Sequence, residues 1–371
     1  MCGIVGAISK KNIVHNLVAG LERLEYRGYD SAGIAILNGK IERVRSIGRV
    51  ASIKEKVIAK KMESYLGIGH TRWATHGGVT EGNAHPHISN NQIAVVHNGI
   101  IENHETQCEK LKKLGYHFES ETDTEVIAHL IHHFYQKQND LLKATHFAIK
   151  ELQGAFAIAV IAINKKDQLV CARKGCPLLV GVANDEFLVA SDASAIIPIT
   201  KKIIYLEDGD IISLKVDGFE IYDSTFKLVK REIHKSKLDL ESMDVGPYDH
   251  FMQKEIYEQP RALADTIEAV IDNNAFDAIL LGENAQKILN EVNSILILAA
   301  GTSYYAGLTA KYWIESIAKL PVNVEIASEY RYRTSVPNSK QLIITTVSYT
   351  HLRAHETPEH RGWRRGRGKK K

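Results

Sequence analysis

The sequence predicts two units of different class. Residues 1–238 read as an α+β unit of sheets with covering helices, and residues 249–347 as part of an α/β unit with a doubly wound parallel sheet. Two patterns carry this. Up to about residue 223, short apolar runs and a hairpin turn interleave with one-faced helical spacing, which suits sheets covered by helices. Later, the apolar run 294–299 enters the Gly301-Thr302-Ser303 turn, then a helix and a further strand, the order of a parallel sheet.

Taken in chain order, residues 2–8 read as a buried strand. Val14, Leu17, Val18, Leu21 and Leu24 follow at helical spacing and give one apolar face. Runs 33–37 and 41–44 flank Asn38-Gly39, a hairpin signal because both positions tolerate positive φ. Further strands are expected at 67–73, 93–97, 155–163, 169–173 and 187–190, and helices at 104–114, 124–136 and 141–152. Composition shifts at 234–248, with a linker expected over 239–248. A helical region opens at Phe251, a helix is expected over about 304–318, and a strand over 321–326.

Bulk properties limit the partners. The 371 residues suffice for roughly two domains, and an apolar content of 44% supports packed cores. No segment reaches the ~18 continuous apolar residues of a membrane span, and no signal-peptide pattern opens the chain. Cys2, Cys108, Cys171 and Cys176 form no CxxC pair, so a reduced, cytoplasmic protein is expected. HExxH is absent, and His85, His87, His132 and His133 read as loop or helix-surface residues rather than zinc ligands. The net charge of +3 comes from the end of the chain. Residues 350–371 hold eight Lys/Arg against two Asp/Glu, and the rest holds 39 basic against 42 acidic side chains. A nucleic-acid partner thus has support only in that tail.

Four places carry chemistry. Cys2 follows Met1, and removal of Met1 would put a thiol and a free α-amine on one residue. Such an amine titrates near ~7.7–8 and can activate a neighbouring nucleophile; otherwise Cys2 is incidental. Arg72, in the polar run 70–77, has a planar fork that matches a carboxylate, or it is a surface cation. Asn98-Gly99, at the end of a strand, offers an amide and a backbone N–H to a developing oxyanion, or makes a plain turn. Asp123 caps a helix or binds an ammonium group.

Together, Met1-Cys2-Gly3-Ile4-Val5-Gly6, Arg27-Gly28-Tyr29-Asp30-Ser31-Ala32-Gly33, the run 70–77, Asn83-Ala84-His85-Pro86-His87 and His97-Asn98-Gly99-Ile100-Ile101-Glu102-Asn103 resemble the N-terminal-nucleophile glutamine amidotransferases. Within that class the resemblance is to the glutamine–fructose-6-phosphate aminotransferases, from residue 1 to about 347. It implies a layered αββα glutaminase domain followed by a partial sugar-isomerase (SIS) domain. It also implies roles: Cys2 as nucleophile, Asn98 and Gly99 as oxyanion hole, Arg72 on the glutamine carboxylate, and Asp123 on its ammonium. Thr75 and His76 would line the glutamine pocket and Trp73 would gate it. Gly301, Thr302 and Ser303 match the first sugar-phosphate loop, where a helix N-terminus favours phosphate.

The resemblance further implies L-glutamine and fructose 6-phosphate as substrates, a homodimer, no cofactor and no metal. Glutamine hydrolysis would supply ammonia for amino-sugar synthesis, the first step of hexosamine formation. After Thr346-Val347-Ser348 the family pattern stops. Only Ser348 falls on the second phosphate loop, and 348–371 reads as a foreign basic tail. A chain of this extent is expected to keep at most the glutaminase half.

Overall fold

Side-chain alternation along paired strands organises the first unit. The computed structural model describes residues 2–236, 246–272, 275–276, 285–336 and 338–346, and the chain divides into two units at the Asp244–Val245 junction. The first unit opens with β1 (Gly3–Ser9), α1 (Val14–Leu24), β2 (Ser31–Asn38), β3 (Lys40–Ile47), α2 (Val50–Ala59) and β4 (Leu66–Arg72). Next come β5 (His87–Ser89), β6 (Ile93–Ile101), α3 (His104–Lys113), α4 (Asp123–Gln138), α5 (Leu141–Glu151), β7 (Gly154–Ala162) and β8 (Leu169–Lys174). The unit closes with β9 (Leu179–Ala183), β10 (Glu186–Ala190), β11 (Lys202–Tyr205), β12 (Ile211–Lys215), β13 (Gly218–Tyr222), β14 (Leu228–Val229) and β15 (Ile233–Lys235).

These strands form two sheets, in the orders β15-β11-β9-β10-β1-β4-β2-β3 and β14-β13-β12-β8-β7-β6-β5. One core cluster joins their facing sides, with Ile4, Ile8, Leu66 and Ile68 from the first sheet against Ala94, Val96, Ala157 and Ala159 from the second. The outer face of the first sheet packs on α1 and α2 through Val5, Leu17, Leu21 and Ile53. That of the second packs on α4 and α5 through Val95, Ile127, Ile131 and Ala144. The result is the expected αββα layering. Along β4 the division is strict. Even positions face the other sheet, while a Cβ on Gly67 would lie 2.8 Å from Leu17, so glycine lets α1 sit close.

Several elements differ from the sequence reading. The strand expected to end at residue 97 continues to Ile101, so Asn98 and Gly99 are not a turn; they pair with Ala157 and Phe156 of β7. Gly99 is required there, because its φ is +133° and a Cβ would stand 2.1 Å from the Ala155 carbonyl oxygen. α4 starts at Asp123 and ends where Asn139 takes a left-handed φ of 50°. The short strands β11–β15 and helix α2 were not anticipated; their mixed polar and apolar composition gives weak periodicity.

The second unit holds α6 (Phe251–Val270), β16 (Ile271–Asp272) paired with β17 (Ala275–Phe276), α7 (Ala285–Glu291), β18 (Ser294–Ala299), α8 (Gly301–Ala318), β19 (Val322–Ile326), α9 (Ala327–Tyr332) and β20 (Gln341–Thr346). β18 lies between β19 and β20, parallel to both. Its residues alternate between two covered faces: Ile295 and Ile297 pack with Ala310 and Ile314 of α8, and Leu296 and Leu298 with Ala327 and Tyr330 of α9. That is the doubly wound arrangement expected. Most of the expected 239–248 linker, and the whole tail 348–371 with Ser348, lie outside the described residues. Among the described residues no helix is long and apolar enough to cross a membrane.

His85, His87 and His132 are buried, not surface residues as the sequence suggested. They sit between sheet and helix, where hydroxyls on α4 and its neighbours pair one nitrogen of each ring, while His85 Nδ1, His97 Nε2 and His132 Nε2 are buried without a partner. His85 Nε2 and His97 Nδ1 share Thr124 Oγ1 at 2.7 and 2.9 Å, His87 Nε2 meets Thr122 Oγ1 at 3.0 Å, and Tyr116 Oη meets His132 Nδ1 at 2.9 Å. Burial pulls His70 and His87 down to about 3, and lowers His85 and His97 as well.

Two outcomes follow from this packing. Ile68→Ala removes a fully buried side chain from the inter-sheet core and should cost about 2–5 kcal/mol in urea unfolding. The histidines set a pH dependence. On unfolding they regain a value near 6.5, so below that pH the unfolded chain binds protons that the folded chain refuses. Their stabilisation is complete above pH 6.5 and is lost as pH falls toward about 3, at about 1.4 kcal/mol per pH unit per histidine. Urea midpoints measured at about pH 7.5 and about 5.5 should drop steeply; equal midpoints would refute the buried neutral rings.

Candidate active site

The inter-sheet core ends in polar residues at one edge of the sandwich. On β4 the inward series Leu66, Ile68 continues as His70 and Arg72; on β6 the series Ala94, Val96 continues as Asn98. Ile4 of β1 lies opposite His70 of β4, so Cys2, two residues earlier on the same face, falls beside Arg72. Asp123 reaches the same place as the first residue of α4. The outcome is a small open cleft lined by Cys2, Arg72, Trp73, Thr75, His76, Gly99 and Asp123, together with His85, His97, Thr122 and Thr124.

The Cys2 thiol is tied to one backbone unit. Trp73 N–H donates to Cys2 Sγ at 3.2 Å, and the thiol reaches the Trp73 carbonyl at 3.5 Å. Burial pushes the thiol up, while the Trp73 N–H and the nearby Arg72 guanidinium pull the other way. The neutral thiol is therefore the resting form, and reaction requires a proton acceptor. Trp73 itself is 37% exposed, and its ring lies over Gly28, where a Cβ would be 3.1 Å away.

Arg72 is not a surface cation: it is 2% exposed. Its guanidinium donates to the carbonyls of His76 at 2.5 Å, Gly78 at 3.2 Å and Gly77 at 3.4 Å, so it gathers the 76–78 loop around itself. Five N–H donors on a guanidinium leave capacity for a carboxylate besides these three. Asp123 does not act as a cap either. The N-cap of α4 is Thr122, without a side-chain cap bond, and Asp123 Oδ2 accepts the Ile101 N–H at 2.8 Å. Its other oxygen is 3.9 Å from His97 Nδ1. That bond aims the carboxylate across β6 toward the cleft.

Asn98 is 8% exposed, with its Nδ2 donating to the Cys2 carbonyl oxygen at 3.3 Å and its Oδ1 2.9 Å from His70 Nε2. Residues with no role in the sequence reading hold these groups in place. Asp30 accepts the Ala74 N–H and donates its own N–H to the Arg72 carbonyl at 2.7 Å. Glu121 accepts from Gly78 N–H and Asn83 Nδ2, both at 3.1 Å, and its own N–H donates to Asn83 Oδ1. Asp30 and Asn83 sit inside motifs quoted above, which was the available signal; Glu121 had none. In the second unit, Gly301, Thr302 and Ser303 form the first turn of α8, rather than a turn ahead of it, with Gly301 at φ +56°.

Comparison with known proteins follows the two units. Residues 70–198 match a family model described as a glutamine amidotransferase domain, and residues 288–354 match a SIS domain. The chain is 58% identical over 346 residues to the glutamine–fructose-6-phosphate aminotransferase (isomerizing) of Xanthomonas campestris pv. campestris, covering 93% of this chain and 57% of the relative. It is 56% identical over 349 residues to the protein of the same name from Neisseria meningitidis serogroup A, with the same coverage. The chain thus spans 57% of the length of these curated relatives. Among solved structures it resembles the glutamine phosphoribosylpyrophosphate amidotransferase of B. subtilis, with TM-score 0.52 and 20% identity over 91% of this chain and 69% of that one. That likeness speaks to fold alone. The chain thus matches a glutamine amidotransferase domain followed by a SIS domain.

Proposed function

We propose that this chain hydrolyses L-glutamine to glutamate and ammonia at Cys2. In a protein of the relatives' full length, the ammonia would pass to fructose 6-phosphate to give glucosamine 6-phosphate. One observation carries the glutaminase reading: a thiol, a guanidinium and a carboxylate line one cleft with Gly99, and the Asn98 amide reaches the Cys2 carbonyl beside it. Glutamine presents the matching set of an electrophilic carboxamide, a carboxylate and an ammonium group. The 58% identity to a relative named for glutamine supports the substrate.

The chemistry runs as follows. Removal of Met1 frees the Cys2 α-amine, which takes the thiol proton while sulfur attacks the carboxamide carbon. Negative charge builds on the carboxamide oxygen, where Asn98 Nδ2 and the Gly99 backbone stabilise it. The C–N bond then breaks as the amine returns the proton, and ammonia leaves. Water, activated by the same amine, adds to the thioester carbon; the C–S bond breaks, releasing glutamate and the thiol. Arg72 takes the substrate carboxylate, Asp123 its ammonium, and Thr75 and His76 wall the pocket. Trp73, exposed over Gly28, is placed to cover the ligand. Gly301, Thr302 and Ser303 offer helix N–H groups to a sugar phosphate, and Ser348 matches the family's second phosphate-loop motif in sequence. Four free cysteines suit a reducing, cytoplasmic setting.

Purified chain with glutamine should release glutamate and show an intact mass lacking Met1. Cys2→Ala should abolish release. A processed chain that releases no glutamate would refute the reading. Asn98→Ala should lower kcat by about 10²–10³-fold with KM nearly unchanged; a raised KM with intact kcat would remove Asn98 from the oxyanion hole.

A further inference from the structure

We propose that His70 is a positioning residue whose Nε2–H holds Asn98 Oδ1 and thereby turns the Asn98 amide nitrogen toward Cys2. The inference deepens the glutaminase reading and rests on it. The two ends of an asparagine amide have nearly the same shape, so its hydrogen-bond partners decide which end faces the nucleophile. His70 and Asn98 stand on opposite sheets, with 2.9 Å between Nε2 and Oδ1. At the other end, Nδ2 meets the Cys2 carbonyl oxygen at 3.3 Å. Inverting the amide would set Oδ1 against that carbonyl, two acceptors face to face, and would present an acceptor to the developing oxyanion.

The ring is itself held. His70 is fully buried and sits opposite Ile4 in the β1–β4 pairing. The His85 ring packs on it with centroids 4.1 Å apart, and His85 Nε2 is anchored on Thr124 Oγ1 at 2.7 Å. Burial keeps the imidazole neutral, so one ring nitrogen carries the proton and the other is bare. The Nε2–H tautomer donates to Oδ1 and fixes the productive amide. The Nδ1–H tautomer would leave Nε2 as an acceptor and draw the amide NH2 away from Cys2.

Kinetics and NMR on the full chain test this. His70→Leu should lower kcat for glutamine by about 10–100-fold with little change in KM, a fraction of what losing the donor costs. His70→Gln, whose amide nitrogen occupies the Nε2 position, should recover most of that loss. In an Asn98→Ala background, His70→Leu and His70→Gln should have no further effect on kcat. Equal loss from His70→Leu in both backgrounds, or unchanged kcat in the single variant, would overturn the proposal. Should His70→Leu not fold, His70→Gln decides: near wild-type kcat supports the role, and a full loss overturns it. In ¹⁵N-histidine spectra of the wild-type chain, His70 should show the Nε2–H tautomer, and Nδ1–H would overturn the proposal without reference to turnover. A wild-type chain that releases no glutamate sinks the glutaminase reading, while the tautomer still decides what His70 does to Asn98.

Discussion

The register of β1, β4 and β6 across the two sheets is the constraint on which the rest depends. Their even-numbered side chains face one another, so Ile4, Leu66, Ile68, Ala94 and Val96 build the inter-sheet core. Cys2, His70, Arg72 and Asn98 continue those same rows past its edge. A slip of one residue in any strand would send its apolar row outward and its functional residue to the wrong face. The core that stabilises the sandwich therefore also aligns the cleft, and the rigidity of packed strands is what catalytic geometry needs.

Placing polar groups at the end of an apolar layer has a cost, because an unpaired buried polar atom destabilises by roughly 1–3 kcal/mol. The chain meets part of it with short links between layers, leaving His70 Nδ1, His85 Nδ1 and His97 Nε2 buried and unpaired. The Thr124 hydroxyl on α4 serves both His85 and His97, and the His70 ring bridges to Asn98. Arg72 is satisfied by three loop carbonyls. Neutral rings suit this role: a charged imidazole would cost desolvation, which at His97 the Asp123 carboxylate offsets only in part.

Much of this was legible one residue at a time. A thiol next to the chain start, an Arg in a polar run and an Asp ahead of a helical pattern are chemical signals a sequence displays. Their convergence is not displayed, since it depends on pairing residues 2, 72, 98 and 123 across separate strands and a helix. The misreadings share that cause. Asn98-Gly99 has turn composition, yet β7 runs alongside and pairs it as strand. His85 and His87 look like polar loop residues, and only the helix packed over them makes them core. Glu121, which ties the 78–83 loop to the start of α4, has a partner 38 residues away and no local pattern to announce it.

On the proposed glutaminase reading, the state of Cys2 accounts for a nucleophile at the second position. A half-buried thiol pushed up by desolvation stays neutral, and a neutral thiol cannot attack unaided. The Trp73 N–H that reaches Sγ stabilises a thiolate without accepting a proton, so a base must come from elsewhere. An α-amine on the same residue needs no second side chain and titrates near ~7.7–8. The strand then supplies the rest: β1 holds Cys2 beside Arg72, and the geometry of the attacking group is set by backbone pairing rather than by a flexible side chain.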